Sequence, residues 1–312
     1  MAYKIIFGPI QSRRFGLSLG IDLSPEKKSC NFDCLYCELA VAKVTDVIQN
    51  PPMVEEVLAE VIQGIEEFPD VDVITLTANG EPTLYPYLDE LVDGLNAIKG
   101  DKKLLILSNA STIYHDNIQK TLSKIDIVKL SLDCVSEACF KKIDRPHSSI
   151  SIEKIIAGMK RFRAIYHDSF VVEILVIKGV NDSLEEMQKL NSVLNDIQPD
   201  RIDLGSIDRP PAYAVEGVDE ARLKVLAGVF TNLPLHLIYK KEPEHRVDFS
   251  EEEIVETVKR RPQSEADVAY LFSSDAQQRL KLLLEAKKVI MIDIAGVKFY
   301  ASPEVKQKRK RS

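Results

Sequence analysis

Short apolar, β-rich runs alternate along this chain with longer segments in which apolar residues recur every three or four positions. The runs at residues 17–23, 71–77, 103–108, 127–132, 169–177 and 201–207 read as strands, and the spacing between them is that of βα units feeding a parallel sheet. Residues 54–68 place Val54, Val57, Leu58, Val61, Ile62 and Ile65 on one helical face and Glu55, Glu56, Glu60 and Glu66 on the other. Residues 184–197 and 221–230 repeat the pattern, with Asp182 or Ser183 placed to cap the first of them. Six such units predict an α/β fold, a partial six-unit (β/α) barrel, with residues 235–239 available as a seventh strand.

Past residue 245 the pattern changes. Glu251, Glu252 and Glu253 open a helix that reaches Arg261, Pro262 breaks it, and Ser264 with Asp267 forms a variant capping box for a second helix at 265–271. A third helix at 275–287 turns Ala276, Leu280, Leu283 and Leu284 inward, and 289–294 with 297–301 reads as a hairpin about Ala295-Gly296. These elements predict a barrel domain at 1–245, a small winged-helix-like domain at 246–303 and a disordered basic tail at 304–312. Gln277, Gln278, Arg279 and Lys281 on the third helix are placed to meet nucleic acid in the helix-turn-helix manner. A solvated polar face or a partner-docking face fits the same residues.

The chain has 312 residues, of which 45% are hydrophobic, enough for one large barrel plus an appendage. A net charge of -7 argues against a generally basic surface. No apolar run approaches the ~20 residues that cross a bilayer. Five cysteines in a chain of this length point to a reducing compartment, the cytoplasm, and away from a disulfide framework.

Three of the five stand within eight residues, in Cys30-Asn31-Phe32-Asp33-Cys34-Leu35-Tyr36-Cys37. Spaced three then two, they can hold three corners of a 4Fe-4S cube and leave the fourth iron open. Zinc would need a fourth ligand, and the nearest histidine is His115. Cys134 and Cys139 read as buried small hydrophobes, with a hydrogen donor or redox pair as the alternative.

The C-x3-C-x2-C spacing, with Tyr36 before the last cysteine, resembles the signature of the radical S-adenosylmethionine (radical SAM) superfamily. The resemblance implies a 4Fe-4S cluster on Cys30, Cys34 and Cys37, with S-adenosylmethionine on the open iron. It also implies reductive cleavage to a 5'-deoxyadenosyl radical, fed by a reductant such as flavodoxin or ferredoxin. Such chemistry sits at the C-terminal ends of the strands. The run Thr77-Ala78-Asn79-Gly80-Glu81-Pro82 is similar to the element that holds the cofactor's amino group. Ser108 and Asn109 correspond to positions touching its carboxylate or ribose, and Ser131 and Val180 extend the same ladder of contacts. Ser131-Leu132-Asp133, Ile143-Asp144-Arg145-Pro146 and Lys178-Gly179-Val180-Asn181-Asp182 resemble the enzymes that build the wyosine base of tRNA, and the likeness spans roughly residues 17–215. Those enzymes bind a second cluster through cysteines ahead of the main motif, and no cysteine precedes Cys30. The Gly8-Pro9 to Gly16 segment resembles related iron-sulfur oxidoreductases without an assigned substrate.

Asp133, Glu173 and Lys178 are the residues expected to act on the substrate, with Asp208 and Arg209 near them, since charges at strand ends are costly unless paired or functional; the alternative for each is a salt bridge lining the barrel mouth. The substrate expected is an RNA or a protein. The alternative is an iron-sulfur redox-responsive regulator that touches nucleic acid through its C-terminal domain.

Overall fold

A computed structural model describes residues 3–12, 14–39, 41–207, 211–238, 246–260, 263–294 and 297–303. Asp208, Arg209, Pro262, Ala295-Gly296 and the basic tail lie outside the described residues. The chain divides into two compact units, the first formed by 3–37 with 41–239 and the second by 240–312 with a few residues from elsewhere.

In the larger unit β1 (Ile6–Ser12) and β2 (Gly16–Asp22) form an antiparallel hairpin. Then come α1 (Val54–Glu67), β3 (Val73–Thr77), α2 (Leu88–Ile98), β4 (Lys103–Ser108), α3 (Asp116–Leu122) and β5 (Ile127–Ser131). They are followed by α4 (Glu137–Ile143), α5 (Ile152–Ile165), β6 (Ser169–Val176), α6 (Leu184–Ile197), β7 (Arg201–Ser206), α7 (Glu220–Ala227) and β8 (Leu235–Ile238). The sheet order is β1 through β8 in sequence, and every pair from β2 onward is parallel. The six units expected from the apolar pattern are present, and β1 and β8 extend them at the two edges.

Strand alternation divides the buried residues. Leu19, Ile74, Ile106, Val128, Val172 and Leu204 point to the helix-covered face, where they join Val57, Val61, Leu91, Met159 and Leu190 in one core. Each fully buried aliphatic side chain contributes about 1.5–3 kcal/mol. On the opposite face Val73, Leu105, Ile127 and Val171 pack with Phe15 as a small apolar plug. Two residues further along β3, β5 and β6 the same face carries Thr75, Lys129 and Glu173, and Ser18 Oγ on β2 lies 2.7 Å from Thr75 Oγ1. Ser183 caps α6 by accepting from the Glu186 amide at 3.1 Å.

The smaller unit has α8 (Glu251–Arg260), β9 (Gln263–Ser264), α9 (Glu265–Leu271), α10 (Ser274–Glu285), β10 (Ile290–Ile294) and β11 (Val297–Ala301). Its antiparallel sheet has the order β10-β11-β9. Ile254, Val258, Val268, Phe272, Ala276, Leu280 and Leu283 form its core, while Leu284 is half-buried. Arg279, expected to face outward for nucleic acid, is held at home: it donates to Asp248 at 2.6 Å and to the Phe249 carbonyl at 2.9 Å.

Candidate active site

The loop after β2 carries the three cysteines, and the end of β3 on one side and the end of α4 on the other fasten it. Ser29 N donates to Asn79 O at 2.8 Å, and Glu81 N donates back to Ser29 O at 2.9 Å. This reciprocal pair needs close backbone approach, which is why Gly80 stands there. Its φ is +138°, and an added Cβ would lie 1.8 Å from the Ser29 carbonyl oxygen. Beyond Cys30, Asp33 N and Leu35 N donate to the carbonyls of Asp144 and Ile143 at the end of α4, at 3.0 and 2.8 Å. Phe32 meets Phe140 edge-on at 5.4 Å. Ala212 N, in the segment after β7, donates to Cys37 O at 2.9 Å.

Glu81 is 1% exposed and its carboxylate is crowded with donors. Oε1 accepts from Thr83 N (3.0 Å), Thr83 Oγ1 (2.6 Å) and Ser108 Oγ (2.7 Å), and Oε2 from Asn109 N (2.7 Å). It therefore locks the turn after β3 to the end of β4. Burial raises its pKa against the opposing pull of those donors. Asn79 acts through its backbone, donating from N to Asp22 Oδ1 at 2.6 Å and accepting from Ser24 Oγ at 3.0 Å. Asn109 Nδ2 reaches Cys30 Sγ at 3.6 Å and Asn31 Oδ1 at 3.1 Å.

Tyr36 and Asp133 face each other. Tyr36 OH donates to Asp133 Oδ2 at 2.7 Å, and Leu175 N donates to Oδ1 at 2.6 Å. Burial pushes Asp133 up to about 7, and burial together with Asp133 raises Asp144. Asp144 accepts from the Cys34 thiol at 3.4 Å. Tyr36, Asn109, Ser131, Asp133 and Asp144 line one cavity beside the cysteine loop, floored by apolar side chains of α4 and α5.

Burial pushes the Cys30 thiol up to about 12, with Glu81 adding to the shift; burial and then Asp144 raise Cys34. Thiols in these surroundings keep their protons until a metal displaces them. The donor set fits a multinuclear cluster better than a single ion. Tetrahedral zinc with Zn–S near 2.3 Å needs sulfurs roughly 3.8 Å apart. Among the described residues, the three Cys, His or carboxylate ligand atoms that gather within 4.8 Å of one another belong to Cys134, Cys139 and Glu186, not to Cys30, Cys34 and Cys37. All three cysteines of the loop are free thiols.

The remaining expected residues fall elsewhere. Glu173 accepts from Arg14 at 2.7 Å and Lys129 at 2.5 Å, inside a charged layer completed by Asp203 and Arg201. Burial alone would raise Glu173, but Lys129 and Arg14 overcome it and hold the carboxyl low. Lys178 is at the surface, 63% exposed and paired with Glu216 at 3.0 Å. Val180 sits in the turn after β6, donating to Ile177 O at 3.1 Å. Cys134 and Cys139 are not separate buried thiols: they form a disulfide that joins the end of β5 to α4. The turn between them brings their Cα atoms to 5.8 Å, within bridging reach. Sequence reasoning passed over Asn181, fully buried, whose amide donates to Asp133 O and Leu175 O, both at 2.9 Å. It lies inside the Lys178 to Asp182 run, which marked the position without assigning it.

Residues 28–190, which carry the cysteine loop and the glycine-glutamate turn fastened to it, match the Radical SAM superfamily, whose members are enzymes. The chain belongs to that superfamily, whose cofactors are a 4Fe-4S cluster and S-adenosylmethionine. It is 37% identical over 301 residues to a UPF0026 protein of Helicobacter pylori (strain ATCC 700392 / 26695), covering 96% of this chain and 97% of that one. It is 26% identical over 176 residues to an S-adenosylmethionine-dependent nucleotide dehydratase of Flammeovirga pacifica, covering 55% of this chain and 57% of that one. The fold is shared with a radical SAM methyltransferase from Sphaerobacter thermophilus at a TM-score of 0.57 and 14% identity, over 72% of this chain and 66% of that one.

Proposed function

We propose that this enzyme holds a 4Fe-4S cluster on Cys30, Cys34 and Cys37 and uses it to cleave S-adenosylmethionine reductively, abstracting hydrogen from a nucleotide-containing substrate, an RNA. The observation that carries the reading is the reciprocal backbone pairing of Ser29 with the Asn79-Gly80-Glu81 turn, which fixes the first cysteine against a carboxylate-bearing strand end. When bound, the two cofactors supply one-electron cleavage of the sulfonium and hydrogen-atom abstraction. The chain's own residues orient them. Gly80 leaves backbone room, Glu81 fixes the ends of β3 and β4, and Asn109 and Ser131 offer polar contacts. Tyr36 is held by Asp133 beside the last cysteine.

The nucleotide class is supported by the dehydratase relative and by the smaller unit. Its three helices and β10-β11-β9 sheet follow each other as in a winged helix, and Gln278 and Lys281 are exposed on α10. A small flavodoxin or ferredoxin is the expected electron donor, and no described helix is long and apolar enough to cross a membrane. The test is anaerobic: reconstitute with iron and sulfide, reduce with dithionite, add S-adenosylmethionine, and assay 5'-deoxyadenosine against Cys34→Ala. Product lost in the variant supports the enzyme. Intact cofactor with a full cluster, in the presence of RNA, would favour the regulatory alternative.

A further inference from the structure

Carboxylates crowd two of the three thiols. Glu81 acts on Cys30, and Asp144 and Asp133 act on Cys34. Against them stands one ammonium that reaches a loop sulfur among the described contacts: Lys28 Nζ donates to Cys37 Sγ at 3.4 Å. Lys28 is half-buried. Its backbone position is set one residue later, where Ser29 is fastened to Asn79 and Glu81. The side chain thus starts from a fixed point two residues before the first cysteine and ends on the last one.

From this juxtaposition we infer that Lys28 is a positioning residue that sets the reduction potential of the cluster through the Cys37 sulfur. The inference rests on the reading that Cys30, Cys34 and Cys37 hold a 4Fe-4S cluster. Adding one electron to a centre ligated by three thiolates adds negative charge where negative charge is already in excess. A charge-assisted N–H···S bond favours the more negative state, and hydrogen bonds and net charge around the sulfurs are the protein's main levers on cluster potential. Glu81, Asp133 and Asp144 are buried and engaged, so they cannot be exchanged for cations without unmaking the loop. Lys28 can be changed alone. Its Nζ hydrogen bond to Cys37 does not tie the backbone, which leaves the electrostatic effect separable from folding.

The experiment is a potentiometric titration of the reconstituted full chain, followed by electron paramagnetic resonance without S-adenosylmethionine, with iron and sulfide per chain measured alongside. Lys28→Met should shift the reduction equilibrium at least tenfold toward the oxidised cluster, a fall of about 59 mV for one electron. Lys28→Arg, which keeps the charge and the donor, should recover more than half of that shift. A Lys28→Met chain that titrates with wild type at equal iron content overturns the inference. So does a variant that loses its iron, since the lysine would then retain the cluster rather than tune it. Failure of the underlying reading is recognised separately and earlier: a wild-type chain that takes up zinc, or no four-iron centre, defeats the cluster and this inference with it.

Discussion

Gly80→Ala should damage cluster binding more than any other one-carbon change at the site. The added Cβ would lie 1.8 Å from Ser29 O, 2.3 Å from Ser29 C and 3.0 Å from Cys30 N, all backbone atoms that cannot swing away. Real Cβ contacts hardly fall below 3.0 Å, so the Ser29 carbonyl must retreat by about 1 Å or more. That movement breaks the two backbone bonds at 2.8 and 2.9 Å that join Ser29 to Asn79 and Glu81. Each is worth about 0.5–1.5 kcal/mol, and a side chain held at a left-handed φ adds about 1–3 kcal/mol, for a total on the order of 2–6 kcal/mol. For a domain of this size that corresponds to a melting temperature lower by roughly 5–20 °C. Thermal melts by circular dichroism measure the stability, and iron and sulfide per chain after reconstitution measure the site. The control is Gly100→Ala, also at positive φ (+62°) but with nothing within 4 Å of the added carbon. It should cost about 1–2 kcal/mol and leave iron content unchanged. A Gly80→Ala chain that melts with wild type and holds full iron would show that the turn and the cysteine loop are not interlocked.

Glu81→Gln turns one of two acceptor oxygens into a donor facing either Asn109 N or the Thr83 and Ser108 hydroxyls, and should cost about 1–3 kcal/mol in a denaturant titration. An unchanged midpoint would refute that accounting. Cys139→Ser removes a bridge closing a short loop, for a loss of about 2 kcal/mol in the chain-entropy view. Maleimide tagging under denaturing, non-reducing conditions should count one more thiol in that variant than in wild type, and one fewer would mean no disulfide forms. For pH, Asp203 and Glu173 are held below their ordinary values of 3.8 and 4.5 by Lys129 and Arg14 against burial. Depressed carboxyls stabilise the fold above their unfolded values and lose that contribution as pH falls through the lower folded ones. Asp203→Asn should therefore flatten the fall in melting temperature below about pH 4 relative to wild type, and parallel curves would refute it.

The parts of this molecule legible beforehand are those whose physics is local. Residues 54–68 announced α1 through apolar spacing alone, and strands buried against helices announced β3 to β7 through short apolar runs. β1 was not legible as a strand, because Gly8-Pro9 interrupts its pattern and its pairing depends on the hairpin partner β2. The cysteine loop was readable from spacing, and Gly80 from the turn it occupies. Long-range pairing decided the rest. Lys178 looked like a strand-end charge, yet β6 ends at Val176 and Ile177 bridges to Gly217, which leaves Lys178 on the surface with Glu216. Glu173 looked available for chemistry until Arg14 arrived from the β1–β2 turn, 159 residues away in sequence. The Cys134–Cys139 bridge ran against an argument from compartment, since five-residue spacing says nothing about how a turn folds.

The most direct test of the account is whether one iron of the cluster is left open by the protein. The proposed ligation by Cys30, Cys34 and Cys37 alone predicts that adding S-adenosylmethionine labelled with 15N at its amino group to the reduced protein changes the electron paramagnetic resonance signal. Double-resonance spectra should then show a 15N coupling at bonding range. A signal indifferent to the cofactor, or a spectrum already showing a nitrogen or fourth sulfur ligand from the chain, would contradict it.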